Sequence, residues 1–381
     1  MAGPTVAGEL TSGRASRRAS SFAVATATDD AALRALMQRT PMEGSVRVAF
    51  TREPDYFAGE GLAGADDRTW VHRNGEQIDG LGRLSVSTLH RNGAPYRIGY
   101  LAELRADPEA QARGAAARHL RDGYALVREV VLANGVDGCF TSIAADNSRA
   151  RRVLEYGGRL GIPAYTAVAD LVTLVIPVGR APRTAQSLAC MADDRDELTD
   201  FLERTAAQSQ LSPKWDAAIW NALARHGVDM RDFRIVRERG HIVAAGAVWD
   251  QRPFRQVVIR GYTGALNWAR PVINGLARVG VAPPLPAPGT VLPQGAILGG
   301  AVDDPRHWAP LLVALRAAAS ERALAWLLIG RDARDPELGA LRRLRIAREY
   351  HTRLYDVRWP DVPSFSDAWN NLFFRPEVAL L

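Results

Sequence analysis

Hydrophobic positions along the chain alternate, then recur at helical spacing, then run together in short blocks, and each change of period marks an element. Phe22 to Thr26 reads as a strand. Thr28-Asp29-Asp30 caps a helix carrying Leu33, Leu36 and Met37 on one face, and Pro41 ends it. Ser45 to Phe50 and Asp55 to Leu62 form an irregular or helical connection. Asn74-Gly75 and Asn92-Gly93 each separate two runs of β-type residues and predict hairpin turns, so three antiparallel strands are expected, ending in Arg97 to Ala106. A helix from Gly114 to about Leu132 places Leu120, Tyr124, Val127 and Val131 on one face. Gly138 to Ala144 is a short apolar block, the pattern of a strand buried on both faces and reached by a parallel crossover. Asp146-Asn147-Ser148 caps a further helix, with Ala150, Val153 and Leu154 inward and Gly157-Gly158 at its end; Ala164 to Pro177 then supplies two more strands.

After a Pro/Arg/Ser connector, Gly179 to Leu188, the pattern restarts. Asp196 to Ala207 is an amphipathic helix, and Phe233 to Glu238, Ile242 to Trp249 and Gln256 to Tyr262 alternate as antiparallel strands do. Ala296 to Val302 leads through Asp303-Asp304-Pro305 into a helix ending near Glu321, followed by the apolar strand Ala323 to Gly330 and an Asp/Arg-rich helix. Asp107-Pro108 and Asp304-Pro305 occupy equivalent places, as do Arg151-Arg152 and Arg342-Arg343. That repetition reads as an internal duplication. Pro283, Pro284, Pro286 and Pro288 belong to an insertion between Tyr262 and Ala296 that reads as a linker or lid. Residues 1–20, rich in Gly, Ser, Ala and Arg without any period, are expected as a disordered tail, followed by a first unit over 21–180 and a second over 190–381.

Composition changes this picture only a little. The apolar share, 47%, is enough for two real cores. The formal charge of +6 comes from arginines spread along the chain, Lys214 being the single lysine. No basic run carries interleaved aromatics, so no nucleic-acid partner is expected. Cys139 and Cys190 suit neither a disulfide framework nor a metal cluster, and a reducing cytoplasm fits them. The histidines lack ligand spacing, so no metal is expected. Arg17-Arg18 precede a stretch too short and polar for a signal core, and no run approaches a membrane span in length, so no membrane partner is expected.

Chemistry concentrates between Arg97 and Ala117. A strand breaks at Asp107-Pro108 and delivers a small-residue turn into a helix N-terminus, which makes an anion site: Ala112, Gly114, Ala115 and Ala116 leave the backbone N–H groups accessible, and the helix dipole adds partial positive charge. Gln111-x-x-Gly114-x-Ala116 resembles the Q/R-x-x-G-x-G/A pyrophosphate loop of the GNAT superfamily, the general-control-type N-acetyltransferases that use acetyl-CoA. The order of elements agrees from Phe22 to Pro177, including Asn147 with Ala150 after the buried strand. This resemblance implies an α/β (α+β) fold of two tandem GNAT-like domains, each a mixed, mostly antiparallel twisted sheet flanked by helices. It also implies acetyl-CoA held by Leu104 and Ala106 on a splayed central strand, by Gln111, Ala112, Arg113, Gly114, Ala115 and Ala116, and by Asn147. In the second copy, Asp304-Pro305-Arg306-His307-Trp308-Ala309-Pro310 has no glycine, and Trp308 and Pro310 would crowd or remove the phosphate-binding amides. That copy is not expected to bind CoA.

Acetyl transfer to an amine needs a polarised thioester, a neutral amine beside it and a proton acceptor. Glu103, the only carboxylate on the central strand, is either that base or an ion-pair partner of Arg105 or Arg97. The family's usual acid is a tyrosine seven residues after the asparagine, where this chain has Leu154. Tyr156, a neighbour such as Tyr165, or no side chain at all then serves. Phe50, Tyr56 and Phe57 either wall the acceptor site or pack a core. Two functions follow: an acetyl-CoA-dependent N-acetyltransferase acting on a small-molecule or peptide amine, with a second half that shapes the acceptor cleft or a homodimer interface, or a non-catalytic acyl-CoA sensor or partner-binding protein.

Overall fold

The computed structural model describes residues 20–381 apart from 43, 45, 63, 65, 110–115, 180–188, 279–284, 345, 361 and 363–368. The first half comprises β1 (Ser20–Val24), α1 (Asp30–Arg39), β2 (Val46–Thr51), β3 (Asp66–Asn74), β4 (Gln77–Arg91), β5 (Ala94–Ala106), α2 (Ala116–Ala133), β6 (Gly138–Ala144), α3 (Ser148–Glu155) and β7 (Ala164–Pro177). The second comprises α4 (Arg195–Ala206), α5 (Ala217–Arg225), β8 (Phe233–Glu238), β9 (His241–Trp249), β10 (Gln256–Tyr262), α6 (Gly264–Arg278), β11 (Gln294–Val302), α7 (Trp308–Glu321), β12 (Trp326–Asp332), α8 (Glu337–Arg342) and β13 (Arg348–Arg358). Local chemistry explains the sharpest boundaries. Thr26 and Asp29 form a capping box ahead of α1, two residues earlier than the Thr28 cap expected. Asn92 and Gly93 both take positive φ, 52° and 87°, as a type I′ hairpin between right-twisted strands requires.

Eleven strands join in one sheet, in the order β1-β3-β4-β5-β6-β13-β7-β12-β11-β9-β8. The halves exchange strands at its centre. β13, from the end of the chain, runs antiparallel between β6 (Val357 opposite Cys139) and β7 (Arg348 opposite Val175), while β7 lends its other edge to β12 (Trp326 opposite Pro177). Ala164–Pro177 is therefore one long strand with a partner on each side, where the sequence suggested two. Read inward from either edge, the two halves repeat: β4-β5-β6 matches β9-β11-β12, and both contain one parallel pair, β5 with β6 and β11 with β12. Tyr56–Gly59, within Asp55 to Leu62, is a short 3-10 helix, but Ser45 to Phe50 is not part of an irregular or helical connection. It falls largely in β2, which pairs antiparallel with β10, Val48 opposite Ile259.

Helices cover both faces. α2 and α3 bury Tyr124, Val131 and Leu154 against Leu101, Cys139 and Ile143 of the first half; α7 buries Leu311, Leu312 and Leu315 against Ile297 and Ile329 of the second. Burial of side chains of this size stabilises by about 2 kcal/mol each, so the apolar faces decide how the helices sit.

Candidate active site at the divergence of two parallel strands

β5 and β6 pair only from Ile98↔Gly138 to Tyr100↔Phe140. Beyond that point Thr141 Oγ1 donates to the Leu101 carbonyl (2.6 Å), and the ladder stops. On its other edge β5 bulges. The register against β4 shifts between Leu81↔Arg105 and Arg83↔Ala102, and Glu103, inside the bulge, takes φ +55°. Asp107 N–H donates to Asp79 O (2.8 Å), so the alternation of an antiparallel ladder turns the backbone of Ala106 away from β4 and towards the side that β6 has left. Leu104, two residues earlier, is 46% exposed. Of the expected pyrophosphate loop, Gln111, Ala112, Arg113, Gly114 and Ala115 lie outside the described residues; Ala116 is the first residue of α2. Asn147 caps α3, its side-chain oxygen accepting from Ala150 N–H (3.1 Å).

Glu103 sits in a buried polar cluster. Its carboxylate accepts from Arg52 Nε (2.8 Å), from a second Arg52 nitrogen and from Tyr56 OH (2.7 Å). The Arg52 guanidinium, 2% exposed, lies 5.1 Å from the centre of the Tyr56 ring. Arg83 pairs with Asp67 (2.6 Å), and half-buried Arg255 donates to the main-chain oxygen of Leu381. Burial alone would raise the Glu103 carboxyl, but Arg52, then Arg83, and the hydrogen bonds from Tyr56 and Arg52 outweigh it and hold the group at about 2. Burial and the neighbouring Arg52 press Arg255 down to about 10, against the opposing pull of Glu103. Four guanidinium groups, those of Arg52, Arg83, Arg105 and Arg255, thus share the cluster with three carboxylates, Glu103, Asp67 and Glu60. The partner of Glu103 is Arg52, neither of the two arginines that sequence suggested: Arg97 pairs with Asp66 (2.9 Å), and Arg105 Nε is buried without a hydrogen bond. A carboxyl held at about 2 is always ionised near neutrality and is a weak base, which speaks against Glu103 as the proton acceptor.

The tyrosines are placed differently from expectation. Leu154 is buried beneath α3, and Tyr156, at the C-terminal cap of that helix, is 61% exposed. Tyr165 shares a buried hydrogen bond with Tyr124, and burial pushes its hydroxyl well up. Tyr56 is not a cleft wall but a buried donor to Glu103, while Phe50 is partly exposed on β2. Sequence reading passed over Tyr100. It closes the parallel pair, its OH lies 3.0 Å from Ser142 Oγ, and burial raises its pKa, so it keeps its proton near neutral pH.

Tyr100 and Phe140 also line a cavity of about 450 Å³ between the halves, together with Leu89, Leu211, Ile219 and Leu380, and with Asp66, Arg97, Lys214, Asp216 and Glu377. Its walls are mainly apolar. A second hollow, about 470 Å³, opens beside α1 and is lined by Asp30, Asp55, Phe57 and Glu60, with no residue from β5 or β6. Among the described residues no three His, Cys, Asp or Glu side chains are grouped to hold a metal ion.

The second half repeats the divergence and fills it. β11 and β12 pair only from Gln294↔Trp326 to Ala296↔Leu328, and β11 then bulges between Leu298 and Ala301. Gly299 lies as far beyond Gln294 as Glu103 lies beyond Ile98, and its φ of +60° matches. Glycine adopts that conformation without strain; a glutamate there costs about 1 kcal/mol or more. Trp308, fully buried, donates from Nε1 to Glu337 (3.0 Å), and the Arg331 guanidinium lies 5.1 Å from the centre of its ring. A bulky ring thus occupies the start of the helix that follows the divergence.

Solved structures share this fold over most of the chain. One of Saccharomyces cerevisiae N-myristoyltransferase with bound myristoyl-CoA and inhibitors is 9% identical, covers 94% of this chain and 85% of that chain, and superposes with a TM-score of 0.55. Another, with bound myristoyl-CoA, is 10% identical over 89% of this chain and 79% of that one (TM-score 0.54). A GCN5-related N-acetyltransferase from Sphaerobacter thermophilus is 13% identical over 89% and 96% (TM-score 0.50). The chain has the GNAT fold. No family model and no curated protein sequence matches it, so the likeness is one of architecture. Within the GNAT fold, the diverging parallel pair belongs to the first half in open form and to the second half in filled form.

Proposed function

We propose that this GNAT-fold chain is an acyl-CoA-dependent N-acyltransferase with acetyl-CoA as donor, acting in the first half on a primary amine bound between the halves. The observation that carries the reading is the opening of β5 from β6 at Tyr100↔Phe140, with α2 starting ten residues after Ala106 and a cavity that reaches the last paired residues, Tyr100 and Phe140. The edge of β5 around Leu104 and Ala106 and the N-terminus of α2 suit a pantetheine arm and its diphosphate, with Asn147 fixing the start of α3 beside them. Acyl-CoA supplies the activated carbonyl. A short acyl group fits best, because Leu101, Ile143, Leu154, Tyr124, Tyr165 and Tyr355 pack one core on the helix side of the sheet.

The acceptor should carry an apolar body. Glu103 orders Arg52 and Tyr56 in this reading, and Tyr100 is the hydroxyl best placed to give a proton to the leaving thiolate. Leu154 at the place of the family's tyrosine favours a second reading, a non-catalytic acyl-CoA sensor.

Calorimetry with acetyl-CoA should give one site per chain. Gly114→Asp should weaken binding more than tenfold, about 1.4 kcal/mol or more, by placing a carboxylate against the diphosphate. Two equivalent sites, or none, would sink the proposal. Binding without turnover across a panel of amines would leave the sensor, and a series of longer acyl-CoA donors tests the preference for acetyl.

A further inference from the structure

Transfer to an amine needs a group that takes the proton from nitrogen, and the Glu103 carboxyl, held at about 2, is too weak a base. Three carboxylate side chains line the cavity between the halves: Asp66, Asp216 and Glu377. Two of them are engaged. Asp66 pairs with Arg97 (2.9 Å), and Asp216 caps α5, accepting from Ala218 N–H (2.9 Å), with Lys214 Nζ at 3.6 Å. Glu377 differs. It is half-buried, its Oε2 accepts from the Gly299 N–H (2.9 Å), and among the described residues no cation forms an ion pair with it. Burial raises its carboxyl; the Gly299 N–H, then Arg331 and the Ala379 N–H, oppose that rise without cancelling it. Its carboxylate is therefore a stronger base than that of Glu103.

The segment that carries Glu377 is firmly held. Phe374 N–H donates to Asp332 (3.0 Å), Arg375 reaches Asp335 and Glu337 at 2.8 Å each, and Ser212 Oγ donates to the Arg375 carbonyl (3.0 Å). From that anchor the chain enters the cavity wall at Pro376 and Glu377, with Tyr100 and Phe140 in the same lining. The two bulges complement each other. In β5 the bulge residue with positive φ is Glu103, neutralised by Arg52; in β11 it is Gly299, whose N–H holds a carboxylate from the end of the chain that no cation neutralises.

We propose that Glu377 receives the acceptor amine in this cavity and takes its proton, an inference that rests on the acyltransferase reading. A carboxylate without a counter-ion attracts an ammonium and accepts one proton from it. The neutral nitrogen then bonds to the acyl carbon, and the C–S bond breaks with its electron pair on sulfur. Tyr100 protonates that thiolate, the second proton leaving nitrogen replaces the one Tyr100 gave, and the proton on Glu377 goes to solvent.

The test compares the full wild-type chain with Glu377→Gln and Glu377→Asp, using acetyl-CoA with hexylamine, phenethylamine, tyramine and leucinamide. Glutamine still accepts from the Gly299 N–H and carries no buried charge, so melting temperature should not fall and acetyl-CoA affinity should match wild type. Turnover should drop roughly 10²-fold or more in Glu377→Gln, and Glu377→Asp should restore part of it. Undiminished turnover in Glu377→Gln would overturn the proposal and leave the acyltransferase reading standing. So would a loss of turnover matched by equal losses of acetyl-CoA affinity or melting temperature, the mark of a structural group. If wild type acetylates none of these amines, the transfer reading fails instead, and equilibrium binding of the same amines decides the site. Binding roughly tenfold weaker in Glu377→Gln keeps Glu377 as the ammonium's partner; binding that is absent, or equal in both proteins, overturns it.

Discussion

Glu103→Gln separates the two roles that a carboxylate on the central strand can have. The substitution keeps shape and hydrogen-bonding capacity but deletes the charge facing Arg52, which is 2% exposed, and leaves Arg83 with Asp67 and Glu60 as nearby carboxylates. The native carboxyl is held at about 2 against an ordinary 4.5, a difference worth about 3 kcal/mol. Breaking buried ion pairs by removal of one partner costs about 3–5 kcal/mol, which agrees. Denaturant unfolding at neutral pH should therefore show Glu103→Gln destabilised by about 3 kcal/mol. The pH dependence has a definite sign. A carboxyl whose pKa is depressed on folding contributes stability that is fully present above its unfolded value and is lost as pH falls through the folded one. The gap between wild type and variant should hold above pH 4.5 and shrink as pH falls towards 2. A destabilisation below about 1 kcal/mol, or a gap that does not change between pH 5 and 3, would refute the buried-pair reasoning. Turnover per folded molecule is the second readout: a base would cost roughly 10²-fold or more, whereas an ordering role should cost much less. Glu103→Gly relieves the backbone at φ +55° and should recover part of the stability that the lost pair removes.

Tyr100→Phe should lower turnover roughly 10²-fold with acetyl-CoA affinity unchanged; loss of the Ser142 hydrogen bond should cost only about 1 kcal/mol of stability, and undiminished turnover would remove Tyr100 from the chemistry. Arg375 bridges Asp335 (2.8 Å) and Glu337 (2.8 Å), whose side chains are almost fully buried, and fixes the segment that carries Glu377 and Leu380 into the cleft. Arg375→Gln should destabilise by about 3 kcal/mol and raise KM for the amine while leaving acetyl-CoA affinity near wild type; a melting curve and a two-substrate kinetic analysis check both.

Local signals were legible in the sequence and long-range ones were not. Asn92-Gly93 demanded a type I′ turn and makes one, and Gly138 to Ala144, an apolar block without alternation, is the buried parallel strand β6 to the residue. β2 was missed because its partner β10 lies about two hundred residues away, and an isolated Val-x-Val alternation does not show what covers it. β7 was read as two strands because its length exceeds a common strand, and only the presence of partners on both edges accounts for it. The Arg52–Glu103 pair was invisible for the same reason: one arginine among many, 51 residues from its partner, carries no local mark. Tyr100 stood inside the stretch that sequence singled out, yet nothing in the sequence says that β6 leaves β5 at that residue.

The strand exchange gives a physical reason for a second half whose own divergence is filled. β13 lies between β6 and β7, so without it those two strands would stand about 10 Å apart, two strand spacings, with unpaired edges facing the gap. β6 is one wall of the opening at Tyr100, and its far edge is held by β13 from Cys139 to Ala144. The position of that wall is therefore set by the end of the chain. The second half in turn needs β7 as the neighbour of β12. Leu211, Lys214, Ile219 and Leu380, which face Tyr100 and Phe140 across the cavity, also come from beyond the connector. Filling the second divergence with Trp308 and Arg331 costs the chain nothing that the first half requires, because what the first half takes from the second is an edge, a strand and a cleft wall. The N-terminus of α7 is then free to hold a buried tryptophan while the sheet that spans both halves is retained.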